Sequence, residues 1–200
     1  MRNRVLNVLK FFLFVFLAPV VIAVSVSFGK EIQELPAELA ENFFWGVAGY
    51  VILYLFLIKL KALFQFAQRL VFDLFRFSPA IGRVTQLILP FYAVLLMIVL
   101  YFKASLFKEI WIENYFVFLV GFTFAHHIVL VAQELYEEDA VILKPHYLLM
   151  MGLTYIANLS LVAGLLDLIY PRFSFLSFFD RSILTTQLIY TLGLEKIFAW

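Results

Sequence analysis

The chain has 200 residues, a net charge of +1 and a composition that is 64% hydrophobic but only 14% charged. Soluble domains carry charges on roughly a quarter of their residues, so the mean hydropathy of +0.98 is typical of a chain that folds in a lipid bilayer. The near-neutral charge excludes the strongly basic surface of a nucleic-acid-binding protein. The absence of cysteine excludes disulfides, iron–sulfur clusters and thiolate zinc sites.

Five uncharged, apolar runs have about the length that a helix needs to cross a membrane. Roughly 20 residues span about 30 Å of hydrocarbon, at about 1.5 Å of rise per residue. We therefore predict an all-α, polytopic membrane protein with about five transmembrane helices, built as a single membrane domain over residues 1–200. The predicted spans are 11–28, 43–58, 84–102, 114–133 and 146–166.

The first apolar run has features of both a signal peptide and a retained helix. It follows a basic start with Arg2, Arg4 and Lys10, as a signal peptide does, but no well-formed small-residue cleavage motif follows it. Since four further runs lie behind it, we predict that 11–28 is a retained first span, kinked by Pro19.

Residues 59–77 form the clearest amphipathic segment of the chain. Polar side chains recur every three to four residues opposite an apolar face, which predicts a helix lying in the headgroup layer of the cytoplasmic leaflet. An intracellular connector packed on the bundle and a docking helix for a cytoplasmic partner are alternatives. The polar stripe is Lys61, Gln65, Gln68, Arg69, Asp73 and Arg76.

Lysine and arginine are unevenly distributed between the alternating loops. With a cytoplasmic N-terminus, nine of them fall inside and six outside, and the N-terminal residues and segment 59–83 supply most of the inner set. Because positive loops favour the cytoplasmic side, we predict a multi-pass protein of an inner or plasma membrane. Its N-terminus is expected in the cytoplasm and its C-terminus across the membrane.

An acidic turn, 134–139, lies on the same predicted side as the basic segment 59–83. Opposite charges on two loops of one face suggest mutual pairing, and a solvated turn, partner docking or metal capture are the alternatives. The candidate residues for docking a partner or lipid are Lys61, Arg69, Asp73, Arg76, Arg83, Glu134, Glu137, Glu138 and Asp139.

Four polar side chains lie at membrane depth in the predicted fourth and fifth spans: His126, His127, Thr154 and Asn158. Burying such groups in hydrocarbon is costly, which makes them candidate functional residues. Adjacent helical positions point about 100° apart, so we expect the two histidines to face different neighbours. One of them can hydrogen-bond Thr154 or Asn158 across the helix pair. Helix packing, proton or ligand handling, and metal or haem binding are the three interpretations.

Catalytic and metal-binding motifs are missing from the sequence. It contains no HExxH, no paired ExxH, no GxSxG and no glycine-rich phosphate loop. His127 and Glu134 share a helical face, but about 10 Å of helical rise separates them, too far to share one ion. We therefore predict no catalytic residue, no metal site and no cofactor.

Small side chains mark the expected helix contacts. Gly121 and Ala125 are four residues apart in the fourth span, and Ala157, Ser160 and Gly164 line one face of the fifth. Small residues let helix backbones approach closely in lipid. Because only a short turn joins these two spans, we expect them to form an antiparallel hairpin.

The C-terminal segment, 173–200, is predicted to be an interfacial helix along the outer membrane surface. Aromatic residues at its start suit the interface between lipid and water. Beyond Arg181, an apolar face that includes Leu188 lies opposite a polar side that includes Thr185. We expect the Leu188 side to contact the membrane or another chain.

A small chain with little mass outside the membrane and no complete catalytic constellation favours a non-catalytic function. We expect an accessory or scaffold subunit of a transport or envelope complex, with membrane lipids and a protein partner or second copy as its contacts. A small transporter or channel with a polar site at His126, His127 and Asn158 is the first alternative. A membrane-embedded metalloenzyme is the second.

Overall fold

The computed structural model describes residues 2–56, 60–102, 110–139 and 144–198. Over that part of the chain the regular structure is entirely helical, so the all-α prediction is confirmed. The helices are α1 (Arg2–Gln33), α2 (Ala37–Leu55), α3 (Lys61–Leu74), α4 (Pro79–Ile88), α5 (Phe91–Tyr101), α6 (Ile110–Glu138), α7 (Pro145–Ile169) and α8 (Phe175–Phe198).

Three helices are long and apolar enough to cross a membrane, and a fourth candidate is a bent pair. The three lie at Val5–Gln33, Ile112–Glu138 and Pro145–Ile169, and the pair is α4 with α5. The described residues therefore support three or four spans by length and composition, and not the five that we predicted. Two of the positions in the predicted span 43–58, residues 57 and 58, lie outside the described residues.

The third predicted span, 84–102, is not one continuous helix. α4 ends at Ile88, and the axis turns by 72° before α5 begins at Phe91. Pro90 causes the break, because proline has no N–H to donate and forces the preceding residue out of the helical region. Leu89 accordingly has extended backbone angles, with φ −93° and ψ 104°.

Helices α2 and α6 run parallel and make the most extensive helix–helix contact among the described residues. Phe43 lies against Gly121 at one level, and Tyr50 lies against the His126 ring further along both helices. A Cβ atom at Gly46 or at Gly121 would overlap the backbone of the facing helix. The glycine predicted to join the fourth and fifth spans therefore packs α6 against α2 instead.

Helices α1 and α7 also run parallel, so α7 returns toward the end of the molecule where α1 finishes. Leu17 packs on Gly152, and Ser25 donates to the Tyr155 hydroxyl at 3.0 Å. Around Phe28, one turn further along α1, aromatic rings from α2 and from the start of α8 join this pair into the main core.

Helix α8 runs antiparallel to α1. Arg181 near its start lies 3.2 Å from the buried Glu31 carboxylate, and Tyr190 donates to the Phe16 carbonyl two turns later. Because α1 is a candidate span, a helix beside it that follows the same axis does not match the surface position expected for 173–200. No helix described in 173–200 is among the candidate spans, so the surface position of this segment stays a prediction, with a path alongside α1 as its alternative.

The surface of α8 carries large exposed apolar side chains beside exposed polar ones such as Gln187. Leu188 is 57% exposed, while Ser182 is buried against α1. The Ser182 hydroxyl donates to the Phe178 carbonyl one turn earlier, so its polarity is satisfied inside the helix. Exposed leucines and a hydroxyl that is bonded within the helix fit a helix in contact with lipid.

Candidate functional site

The break between α4 and α5 leaves a backbone carbonyl without its helical donor. In a continuous helix the Leu87 carbonyl would accept from the N–H of Phe91, but Phe91 begins α5 beyond the 72° bend. Pro90 has no N–H to replace it. A carbonyl that is freed in this way inside an apolar helix bundle needs a donor from another helix.

His127 and Asn158 both supply that donor. The distance from His127 Nε2 to the Leu87 oxygen is 3.0 Å, and the distance from Asn158 Nδ2 to the same oxygen is 3.2 Å. Asn158 Nδ2 also donates to the Thr154 carbonyl at 2.9 Å. Residues from α6 and α7 therefore meet at a third helix, instead of hydrogen-bonding each other directly as one interpretation of the sequence expected.

His126 faces away from this carbonyl, toward α2 and α3. Its Nε2 donates to the Leu60 carbonyl at 3.2 Å, at the residue that precedes α3. The Tyr50 ring lies 5.2 Å from the imidazole centroid and the Phe64 ring 6.1 Å from it, both edge to face. The two adjacent histidines therefore bond the ends of two different helices: His126 bonds the start of α3, and His127 bonds the end of α4.

The chemistry of this cluster is dominated by hydrogen bonds to backbone. His127 is 6% exposed and Asn158 is completely buried, and the side-chain donors described for them go to carbonyl oxygens. Asn158 Oδ1 has no hydrogen-bond partner among the described residues. Within the same residues, no three His, Asp or Glu side chains converge as metal ligands do.

Sequence reasoning missed Tyr50 and the backbone acceptors of the cluster. Tyr50 is fully buried beside His126, and the Leu60 and Leu87 carbonyls are the acceptors. Pro90 was the available indication, because a proline inside an apolar run at membrane depth frees a backbone group that some neighbour must satisfy.

Helix α3 crosses the last turns of α6 and has the predicted amphipathic character. Its buried residues are Phe64, Ala67 and Val71. On the polar side, Gln68 donates to Glu134 Oε2 at 2.8 Å, and Lys61 lies 3.9 Å from Glu137. The expected pairing between the basic segment and the acidic turn is therefore present. Both partners of the ion pair are well exposed, so this contact adds only about 0–1 kcal/mol.

Asp139, at the end of the acidic turn, caps the start of α7. The Asp139 carboxylate accepts from the backbone N–H groups of His146 and Tyr147, at 3.0 Å each, and so caps the start of α7. Lys144 donates to the Tyr136 carbonyl at 2.8 Å and closes the end of α6. Asp139 is buried by this arrangement, whereas Glu138 is exposed.

The other docking candidates lie on the surface formed by α3 and α4. Arg69, Asp73, Arg76 and Arg83 are exposed, and none of them has an ion-pair partner among the described residues.

Comparisons of the chain with protein-family models, with curated proteins and with solved structures find no match.

Proposed function

We propose that the chain is a non-catalytic integral membrane protein that serves as an accessory or scaffold subunit of a transport or envelope complex. The observation that carries the proposal is that the buried polar side chains hydrogen-bond to the backbone of neighbouring helices. His126, His127 and Asn158 bond backbone carbonyls at the ends of α3 and α4, so these groups support a fixed arrangement of helices. A scaffold needs such an arrangement, whereas a transport site needs groups that a substrate can reach.

Membrane embedding is supported by the distribution of exposed side chains. Large apolar residues cover the outer faces of α1, α2 and α8, for example Phe16, Trp45 and Leu184. A soluble monomer rarely exposes apolar patches of this extent. The inner or plasma membrane, with a cytoplasmic N-terminus, remains the location that the lysine and arginine distribution favours.

A further span is proposed at α2. Its 19 residues correspond to about 28 Å, and it lies parallel to α6 from Phe43 to Tyr50 in direct backbone contact. A helix that follows a spanning neighbour over this length crosses most of the same hydrocarbon. Glu38 and Glu41 near its start lower its hydropathy, which is why composition alone does not mark it.

A small transporter is the second candidate, and the broken helix favours it. Discontinuous helices with buried polar groups form the substrate sites of many transporters. Here the Asn158 Oδ1 atom is buried at such a break and has no partner among the described residues. That atom is where a substrate or coupling ion would bind if the break were a site.

Site-specific photo-crosslinking in intact membranes tests the scaffold function. A photoreactive residue at the exposed position of Trp45 should give one protein adduct of defined mass, and the same residue at the buried Val120 should give none. The adduct should persist in Asn158→Leu, because that position is internal. Lipid adducts alone at Trp45, Leu95 and Leu184 would contradict the scaffold function.

A further inference from the structure

Helix α3 lies at the level where α6 leaves the hydrocarbon. The apolar stretch of α6 ends at Gln133, and the carboxylate of Glu134 accepts from Gln68 of α3 at 2.8 Å. One turn earlier on α3, Phe64 packs with Leu130 and Leu135, on either side of this boundary. Helix α3 therefore lies beside the first charged residues of α6, where a spanning α6 would reach the lipid headgroups.

Three faces can be distinguished around α3, and only one of them is turned to the bundle. That face consists of the buried Phe64, Ala67 and Val71. A second face is apolar but exposed, and the third is polar and exposed. Leu63, Phe66 and Leu74 form the exposed apolar face, and Gln65, Arg69 and Asp73 form the polar face.

Helix α4 folds back on α3 and extends both exposed faces. Gly82 packs against the Phe72 ring, and Gln86 donates to the Gln68 carbonyl at 2.8 Å, so the two helices form one unit. Phe77 and Ile81 continue the exposed apolar surface along the chain. Three exposed arginines, which we call the arginine set, accompany it: Arg69, Arg76 and Arg83.

We propose that the α3–α4 unit binds the headgroups of anionic phospholipids through the arginine set. An exposed apolar face beside basic groups that have no ion-pair partner among the described residues, at the boundary of a spanning helix, is typical of a helix that lies in an anionic leaflet. Asp73 shares the polar face of α3 with Arg69. Counted together, the three arginines and Asp73 have a net charge of +2. The inference goes beyond the scaffold function and holds whichever protein the chain assembles with.

Lipid binding by the full chain tests the inference, with phosphatidylglycerol and phosphatidylcholine of identical acyl chains as the probes. Native mass spectrometry of the protein in neutral detergent should show preferential binding of phosphatidylglycerol. In the variant R69Q/R76Q/R83Q, the ratio of phosphatidylglycerol to phosphatidylcholine binding should fall roughly 100-fold, because each arginine contributes roughly fivefold. The control Arg172→Gln, an exposed arginine in the turn after α7, should leave it unchanged.

Two further variants keep the proposal testable if the triple glutamine variant folds poorly. Asp73→Asn should strengthen phosphatidylglycerol binding roughly fivefold, and R69K/R76K/R83K should retain most of it. Salt should weaken binding by the unmodified chain, because the Debye length falls from about 10 Å at 0.1 M to about 3 Å at 1 M. An unchanged preference for phosphatidylglycerol in R69Q/R76Q/R83Q would overturn the proposal. If that variant kept the lipid preference but lost an acidic protein partner, the arginines would bind protein and not lipid, which would also overturn it.

Discussion

His127 and Asn158 donate hydrogen bonds to the same oxygen atom, the carbonyl of Leu87, from two different helices. The acceptor is available because Pro90 interrupts the helix that would otherwise have satisfied it. The break between α4 and α5 is therefore satisfied by two side chains that are remote from it in sequence. This relationship accounts for His127 and for the amide nitrogen of Asn158, and it leaves Asn158 Oδ1 without a partner among the described residues.

Replacing the two histidines singly should affect stability unequally. His127→Leu leaves the Leu87 carbonyl with one donor, so we expect a loss of about 1–2 kcal/mol in the free energy of unfolding. The donor that remains at Leu87 is Asn158 Nδ2, which is shared with the Thr154 carbonyl. His126→Leu should cost less, below about 1 kcal/mol, because the Leu60 carbonyl keeps the helical N–H of Phe64 as its donor. Unfolding by SDS titration in mixed micelles measures both.

The donor-retaining variant His127→Gln serves as the control and should lose less than His127→Leu. In a double-mutant cycle, His127→Leu and Asn158→Leu should couple by about 0.5 kcal/mol or more, because they share one acceptor. Additive losses, or equal losses at His126 and His127, would show that the shared carbonyl is unimportant.

The backbone contact between α2 and α6 should not tolerate a methyl group. Gly46→Ala places a Cβ atom in steric overlap with the Phe118 carbonyl oxygen, so the two helices must separate, at a cost of about 1–3 kcal/mol. Gly29→Ala is the matched control, because its Cβ would meet nothing within 4 Å. It should be neutral or stabilising by up to about 1 kcal/mol, since alanine is the better helix former. Equal stabilities for the two variants would contradict the packing.

Features that depend on local periodicity could be predicted from the sequence. The apolar runs gave the helical class, and the spacing of polar residues gave the amphipathic helix α3 with its buried Phe64. The 100° between neighbouring helical positions separated His126 from His127. Each of these properties is set by residues a few positions apart.

Features that depend on which helices become neighbours could not be predicted. Gly121 is equally suited to α7 and α2, and only the tertiary arrangement places it against Phe43. The direction of α8 depends on contacts such as Arg181 with Glu31, 150 residues apart in the chain. A pattern along one segment contains no information about such partners, and the acceptors of the polar cluster are backbone atoms that no residue type marks.

The cap at the start of α7 should be separable from the charge of the acidic turn. Asp139→Ala removes an acceptor of two backbone N–H groups, so it should cost about 1 kcal/mol in the free energy of unfolding. The neighbouring Glu138→Ala removes an exposed carboxylate and should change stability by less than about 0.5 kcal/mol. If both variants lose the same amount, the charge of the turn matters and the cap does not.

The packing of α8 on α1 predicts that the two ends of the chain lie on the same side of the membrane. Arg181 pairs with Glu31 near the end of α1, and Tyr190 reaches Phe16 toward its beginning. Reporters fused at Met1 and Trp200 should therefore give the same side, in contrast to the opposite sides expected from the lysine and arginine distribution. Reporters on opposite sides would mean that α8 does not follow α1 through the bilayer.

Single cysteines in this cysteine-free chain test the same packing from within α8. Positions 185 and 188 lie about 6 and 10 Å beyond Arg181 along the helix, with Leu188 exposed to the surroundings of the helix and Thr185 half-buried. If those surroundings are lipid, a membrane-impermeant thiol reagent should label neither Thr185→Cys nor Leu188→Cys. It should label the control Arg172→Cys in the exposed turn before α8. Labelling at position 185 with protection at 188 would instead place α8 along the membrane surface, with its hydroxyl side in water.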